Sequence, residues 1–152
     1  MLHALTQEQF LPLRIEAAWD FFSDPANLCR ITPEWLHFTL SCPSPARMYP
    51  GQILTYTIRP FPGVRTAWVT EITHVREPNF FVDEQRLGPY ALWHHQHLFH
   101  SCSGGVLMQD LVNYALPLWY LGDLVHALVV KRRIQAIFAY RQQVLEQMFP
   151  VS

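Results

Sequence analysis

The feature that most constrains this chain is a change of hydrophobic period around Pro117. From Leu36 to Leu116 apolar residues tend to alternate with polar or small ones, as in Leu36, Phe38 and Leu40. The same texture continues through Gln52–Arg59, Val64–Val75, Phe80–Leu87, Ala91–Cys102 and Val106–Leu116. Period two is the signature of half-buried strands. Turn residues separate the segments at Tyr49-Pro50-Gly51, Pro60-Phe61-Pro62-Gly63, Glu77-Pro78-Asn79, Gly88-Pro89 and Ser103-Gly104-Gly105. Such short connections require antiparallel hairpins. Beyond Pro117 the period becomes 3.6, and Leu124, Ala127, Ile134, Ile137, Phe138, Leu145 and Met148 fall on one stripe of a long helix, about Gly122 to Met148. Upstream, a first strand is expected within His3–Arg14 and a short helix over Ile15–Phe22. Ser23-Asp24-Pro25 then stops and restarts the helix, with Asp24 as cap and Pro25 in the first turn. The second helix ends near Ile31, before Thr32-Pro33. The expected fold class is α+β: seven antiparallel strands, two short helices between strands 1 and 2, and a long C-terminal helix whose stripe must bury against the sheet.

At 152 residues the chain fits one domain of ordinary size, 1–152, with no internal repeat or linker. Half of its residues are hydrophobic and only 15 % are charged, against about a quarter in ordinary domains. So apolar a chain needs a large core, an apolar cavity or a partner-facing surface. The net charge of −1 argues against a nucleic-acid partner. Cys29, Cys42 and Cys102 are too few and too scattered for a disulfide framework, and read as reduced thiols in a cytoplasmic protein. No signal peptide is visible in residues 1–13. The most apolar run, Leu116–Val130, is broken by Asp123 and His126 and falls short of the roughly 18 residues of a membrane span.

Several motifs carry a family resemblance: Ala18-Trp19-Asp20-Phe21-Phe22-Ser23-Asp24-Pro25-Ala26-Asn27-Leu28 with Ile31-Thr32-Pro33, then Asp83-Glu84-Gln85, Gly88-Pro89 and Trp93-x-His95-x-His97-x-Phe99. Gly104-Gly105, Met108-x-Asp110, Tyr114-x-x-Pro117 and Ile137-Phe138-x-Tyr140-Arg141 extend the pattern. Together they resemble the START-like superfamily, which includes the birch pollen allergen and the bacterial polyketide cyclase/dehydrases. The resemblance implies a helix-grip fold, a curved sheet wrapped around the C-terminal helix with a hydrophobic cavity between them. It implies no particular activity, because the fold serves carriers, sensors and enzymes.

Hairpin arithmetic assigns the faces. With Ser103-Gly104 as a two-residue loop, Phe99 lies opposite Met108, His97 opposite Asp110, His95 opposite Val112 and Trp93 opposite Tyr114; partners share a face. With Gly88-Pro89 as a second such loop, Trp93 faces Glu84. The inward face is then Phe80, Val82, Glu84, Arg86, Trp93, His95, His97, Phe99, Val106, Met108, Asp110, Val112 and Tyr114, and Asp83, Gln85 and His94 point outward. A one-residue slip would break this assignment. Tyr56, Trp68, Trp119 and Phe138 complete the expected ligand wall, with Leu116–Gly122 as rim or lid. Trp19, Trp35 and Trp68 read by default as core packing.

The polar group Glu84, Arg86, His95, His97, Asp110 and Tyr114 admits two explanations. One is an internally satisfied network. The other is the polar end of a ligand site. His95-x-His97 has a spacing that metal sites use, but no third histidine shares the face, so no metal and no cofactor are expected. Lys131-Arg132-Arg133 reads as a solvated helix flank; with Trp119 and Tyr120 nearby, a weak membrane-surface contact is the alternative. The leading function is a carrier or sensor for a hydrophobic small molecule such as a lipid, isoprenoid, quinone or aromatic polyketide. The alternative is a cyclase/dehydrase with His97, Asp110 and Tyr114 as candidate acid–base residues. A structural subunit with an incidental cavity is the third reading. Oligomeric state is not legible.

Overall fold

The computed structural model describes residues 1–43, 47–117 and 129–151. Strand β1 (Leu2–Leu11) is followed by helices α1 (Ile15–Phe22) and α2 (Pro25–Arg30) and by a 3-10 turn, Glu34–Leu36. Strands β2 (Thr39–Leu40), β3 (Gln52–Phe61), β4 (Val64–Arg76), β5 (Phe80–Leu87), β6 (Leu92–Cys102) and β7 (Gly105–Ala115) come next, and helix α3 (Lys131–Met148) closes the chain. The strands form one antiparallel sheet in the order β1-β7-β6-β5-β4-β3-β2. The segment expected to begin the long helix, and the expected lid with Trp119, Tyr120 and Leu121, lie outside the described residues.

Local chemistry explains the junctions. Asp24 caps α2, its carboxylate accepting from the Ala26 N–H at 2.9 Å, and Pro25 takes the first turn. The β6–β7 hairpin turns through Ser103-Gly104, where Gly104 has φ +82°, a left-handed conformation that suits glycine. Gly105 permits close approach of β1: a Cβ there would stand 2.2 Å from the Leu11 carbonyl oxygen. The β6–β7 register is the expected one, pairing His97 with Asp110 and Trp93 with Tyr114.

The core lies on the inner face. Along β7 every second residue is buried, from Val106 to Tyr114. Trp19 of α1 meets Phe81 and Phe99 edge-on, at centroid distances of 5.9 and 6.2 Å. Trp19 is therefore core, as expected, whereas Trp35 is 43 % exposed and is not. On α3 the buried residues are Ile134, Phe138, Arg141 and Leu145, the three- and four-residue spacing of a helix face turned to the sheet. Ile134 and Phe138 pack with Val112 and Tyr114. Gln7 and Gln9 of β1 fasten the helix by donating to the Phe138 and Gln142 carbonyls.

The β5–β6 connection departs from the two-residue loop expected at Gly88-Pro89. It spans Gly88 to Ala91, and the register pairs Asp83 with His95 and Phe81 with His97. The Gln85 side chain bridges the turn, donating to the Tyr90 carbonyl at 2.7 Å and accepting its N–H at 3.2 Å. The assignment of Glu84 and Arg86 to the inner face is therefore corrected by one residue. Asp83 turns inward, and Glu84 pairs outward with His94.

Candidate functional site

A cavity of about 350 Å³ lies between the sheet and α3. Its wall is mostly apolar, including Leu54, Trp68, Trp93, Ile134 and Phe138. Polar groups enter it from β3, β5, β6 and α3: Tyr56, Asp83, His95, His97 and Arg141. The period-two strands explain this mixture, since one parity of β5 and β6 delivers Phe81, Asp83, Trp93, His95 and His97 to the same side.

Asp83, His95, His97 and Asp110 form one cluster. His95 Nε2–H donates to Asp110 Oδ1 at 2.8 Å, and His97 Nε2–H donates to Asp83 Oδ2 at 2.8 Å. The two imidazoles stand 3.7 Å apart, and Phe81 stacks on His97 at 4.1 Å. His97 Nδ1 lies 3.1 Å from Asp110 Oδ1 without a hydrogen-bond geometry, and His95 Nδ1 lies 3.5 Å from Asp83 Oδ2. All four ring nitrogens thus face carboxylate oxygens.

This arrangement fixes protonation. Burial works against the charge on Asp110, but the hydrogen bonds and charge of His95 and His97 prevail and hold it well below the ordinary carboxylate range. Asp83 is lowered too: burial opposes its charge, but His95, His97 and Arg141 outweigh that. Burial disfavours a proton on His97, yet the two carboxylates raise its pKa above the ordinary value. His95 is lowered, by burial first and then by the charge of His97. Protonation to imidazolium is therefore favoured on His97 and disfavoured on His95. Burial, with the Asp83 charge second, also pushes the Tyr56 phenol far above its ordinary value, so it stays a neutral donor.

One ligand atom each of Asp83, His95 and His97 lies within 4.8 Å of the others, and these are the described residues that could hold a metal ion. Two of those atoms, His97 Nε2 and Asp83 Oδ2, already bond each other.

The sequence-derived candidates divide into three groups. Tyr56, Trp68, Trp93, His95, His97 and Phe138 line the cavity. Asp110 stands behind the imidazoles; Phe99 and Met108 belong to the packed core, and Tyr114 packs beneath Tyr90 and Trp93. Glu84 and Arg86 are on the outer surface, where Arg86 bridges Glu71 and Glu84. Trp119 lies outside the described residues. Sequence reasoning missed the three carboxylate and guanidinium residues at the cavity. Asp83 was lost to the register slip. Arg133 had been read as solvated flank, but it donates to the Pro60 carbonyl and lies over Trp35 and Phe61 at the cavity wall. Arg141 is a charged residue on the apolar stripe of α3, and its spacing from Ile134 and Phe138 was the available signal.

No family model matches the sequence, and no curated protein matches it. Solved structures do. A protein from Chromobacterium violaceum superposes with a TM-score of 0.73 at 13 % identity, over 99 % of this chain and 99 % of its own. Ara h 8.0201 superposes with a TM-score of 0.62 at 15 % identity, over 97 % and 99 %. The fold is the helix-grip fold. Ginseng major latex-like protein 151 from Panax ginseng shares it, with a TM-score of 0.58 at 14 % identity over 89 % of this chain and 96 % of its own. Such identities establish the helix-grip architecture and leave activity to the site itself. Among the described residues, no helix is long and apolar enough to cross a membrane.

Proposed function

We propose that this helix-grip protein is a carrier or sensor that encloses a hydrophobic small molecule, of lipid, isoprenoid, quinone or aromatic polyketide type, between its sheet and α3. The observation that carries the reading is an apolar cavity with a polar end whose imidazoles are already paired. Mostly apolar walls with a few placed polar groups bind and orient amphipathic ligands. General acid–base work needs a ring nitrogen within reach of substrate, and here each ring nitrogen faces a carboxylate. That favours binding over the cyclase/dehydrase alternative. Asp110 and Tyr114, the other two acid–base candidates, do not border the cavity. The three cysteines are free, which suits the proposed cytoplasmic location.

The test is native mass spectrometry of the purified protein, followed by titration with the neutral apolar fluorophore N-phenyl-1-naphthylamine. One ligand or one fluorophore per chain is expected. Protein that neither carries an extractable molecule nor binds the fluorophore would refute the reading. His97→Gln separates the alternatives: a carrier keeps most of its affinity, whereas a cyclase keeps binding and loses turnover.

A further inference from the structure

Arg141 is 6 % exposed and sits on the face of α3 that meets the sheet, between Phe138 and Leu145. It borders the cavity. Its Nε is buried without a hydrogen-bond partner, and among the described residues its guanidinium makes no ion pair. Its visible support is the Phe138 ring, 4.8 Å from the guanidinium carbon. A cation–π contact offsets only part of the cost of removing a permanent cation from water. Asp83 feels the charge of Arg141, but its Oδ2 is engaged by His97 and no salt bridge forms. Arg133 makes the contrast plain: on the same helix and the same cavity, it has a backbone carbonyl and two aromatic faces. A guanidinium offers five donors in a planar fork that fits a carboxylate with two parallel hydrogen bonds.

We propose that the ligand of this cavity carries an anionic head of carboxylate type that seats on Arg141, with its apolar body along Phe138 and the strand side chains. The inference deepens the binding function and rests on it. The two acids near the head are each engaged by an imidazole, and the Arg141 cation must outweigh what remains of their charge.

The test is displacement of N-phenyl-1-naphthylamine by two matched pairs, 2-naphthoate against 2-naphthamide and decanoate against decanamide. Within each pair, size and shape are nearly constant and only the charge differs. In the wild type at least one acid should compete about tenfold or more better than its amide, the scale of a charge-assisted bidentate contact in a low-dielectric site. Arg141→Met should abolish that preference, which is read as the acid-to-amide ratio within one protein and so does not depend on the fluorophore's own affinity; Arg141→Lys should retain part of it. The wild-type comparison stands even if a variant fails to fold. Acid and amide competing equally in both pairs, or a preference that survives in Arg141→Met, overturns the proposal and leaves the carrier reading intact. A wild type that carries no extractable molecule and binds no fluorophore overturns both, and an extracted molecule without an anionic head overturns the proposal alone.

Discussion

Strands β5 and β6 build two networks from similar parts, one on each face of the sheet. Inside, Asp83 and Asp110 hold His95 and His97, all with side chains at most 16 % exposed. Outside, Glu84 holds His94 and, with Glu71, Arg86, with side chains 27–47 % exposed. Both use carboxylates and imidazole at distances near 2.9 Å, and Glu84 follows Asp83 directly in sequence. The difference is the solvent. Water screens the outer charges and would solvate any group left alone, whereas the inner groups have only one another.

The largest expected effect follows from removing one member of each network. Asp110→Ala leaves the buried His95 imidazole without its acceptor and His97 without one of its two facing carboxylates, and should lower unfolding free energy by about 3–5 kcal/mol. Glu84→Ala should cost below about 1 kcal/mol. Urea unfolding of both variants decides the matter, and comparable losses would remove the distinction between the faces. Next in size is Phe138→Ala, expected to cost about 3–5 kcal/mol if the cavity it borders does not collapse, and less if α3 settles inward. A crystal structure of that variant would show which.

The inner network also predicts a pH profile. In the unfolded chain both histidines titrate near 6.5, whereas the fold raises His97 and lowers His95. Above about pH 6.5 the native state holds the extra proton, so the stabilisation from raised His97 is lost as pH rises toward its folded pKa. Below about pH 6.5 the unfolded state holds the extra proton, because His95 resists protonation in the fold, and stability falls again. Each limb should slope by up to about 1.4 kcal/mol per pH unit. Lowered Asp83 and Asp110 steepen the acid limb further below their ordinary value of 3.8. Urea midpoints measured from pH 4 to 9 should trace a maximum near 6.5, and His97→Gln should flatten the alkaline limb. A profile flat between pH 5 and 8 would show that the pair does not titrate as described. The smallest effect is reserved for His94→Gln on the outer face, which should change unfolding free energy by no more than about 0.5 kcal/mol in urea.

These two networks also show how far the sequence could be read. The period change, the caps and the β6–β7 register were legible because each depends on neighbouring residues: Asp24 before Pro25, or Gly104 in a two-residue turn. The inner pair of His95 and His97 followed from that register. Asp83 did not, because Gly88-Pro89 marks a turn without fixing its length, and one residue exchanges the faces. Arg141 stayed hidden for another reason. Its spacing from Ile134 and Phe138 puts it on the stripe, but its lack of an ion-pair partner among the described residues is a property of three dimensions.

The Gln85 bridge across the β5–β6 turn has a consequence for how such a site can change. Its amide acts as a clamp on the reading frame of one strand against the next. A single codon gained or lost between Leu87 and Leu92 would shift that frame by one, carrying Asp83 out and Glu84 and Arg86 in, with no side chain altered. The β4 irregularities opposite β5, between Val69 and Thr70 and between Ile72 and His74, are where the sheet can absorb the offset. Such a shift would set Glu84 and Arg86 in the place of Asp83 while His95 and His97, held by the β6–β7 register, stay inside. Deleting Pro89 alone tests this: loss of Asp83 as the partner of His97 in a protein that still folds should weaken the alkaline limb.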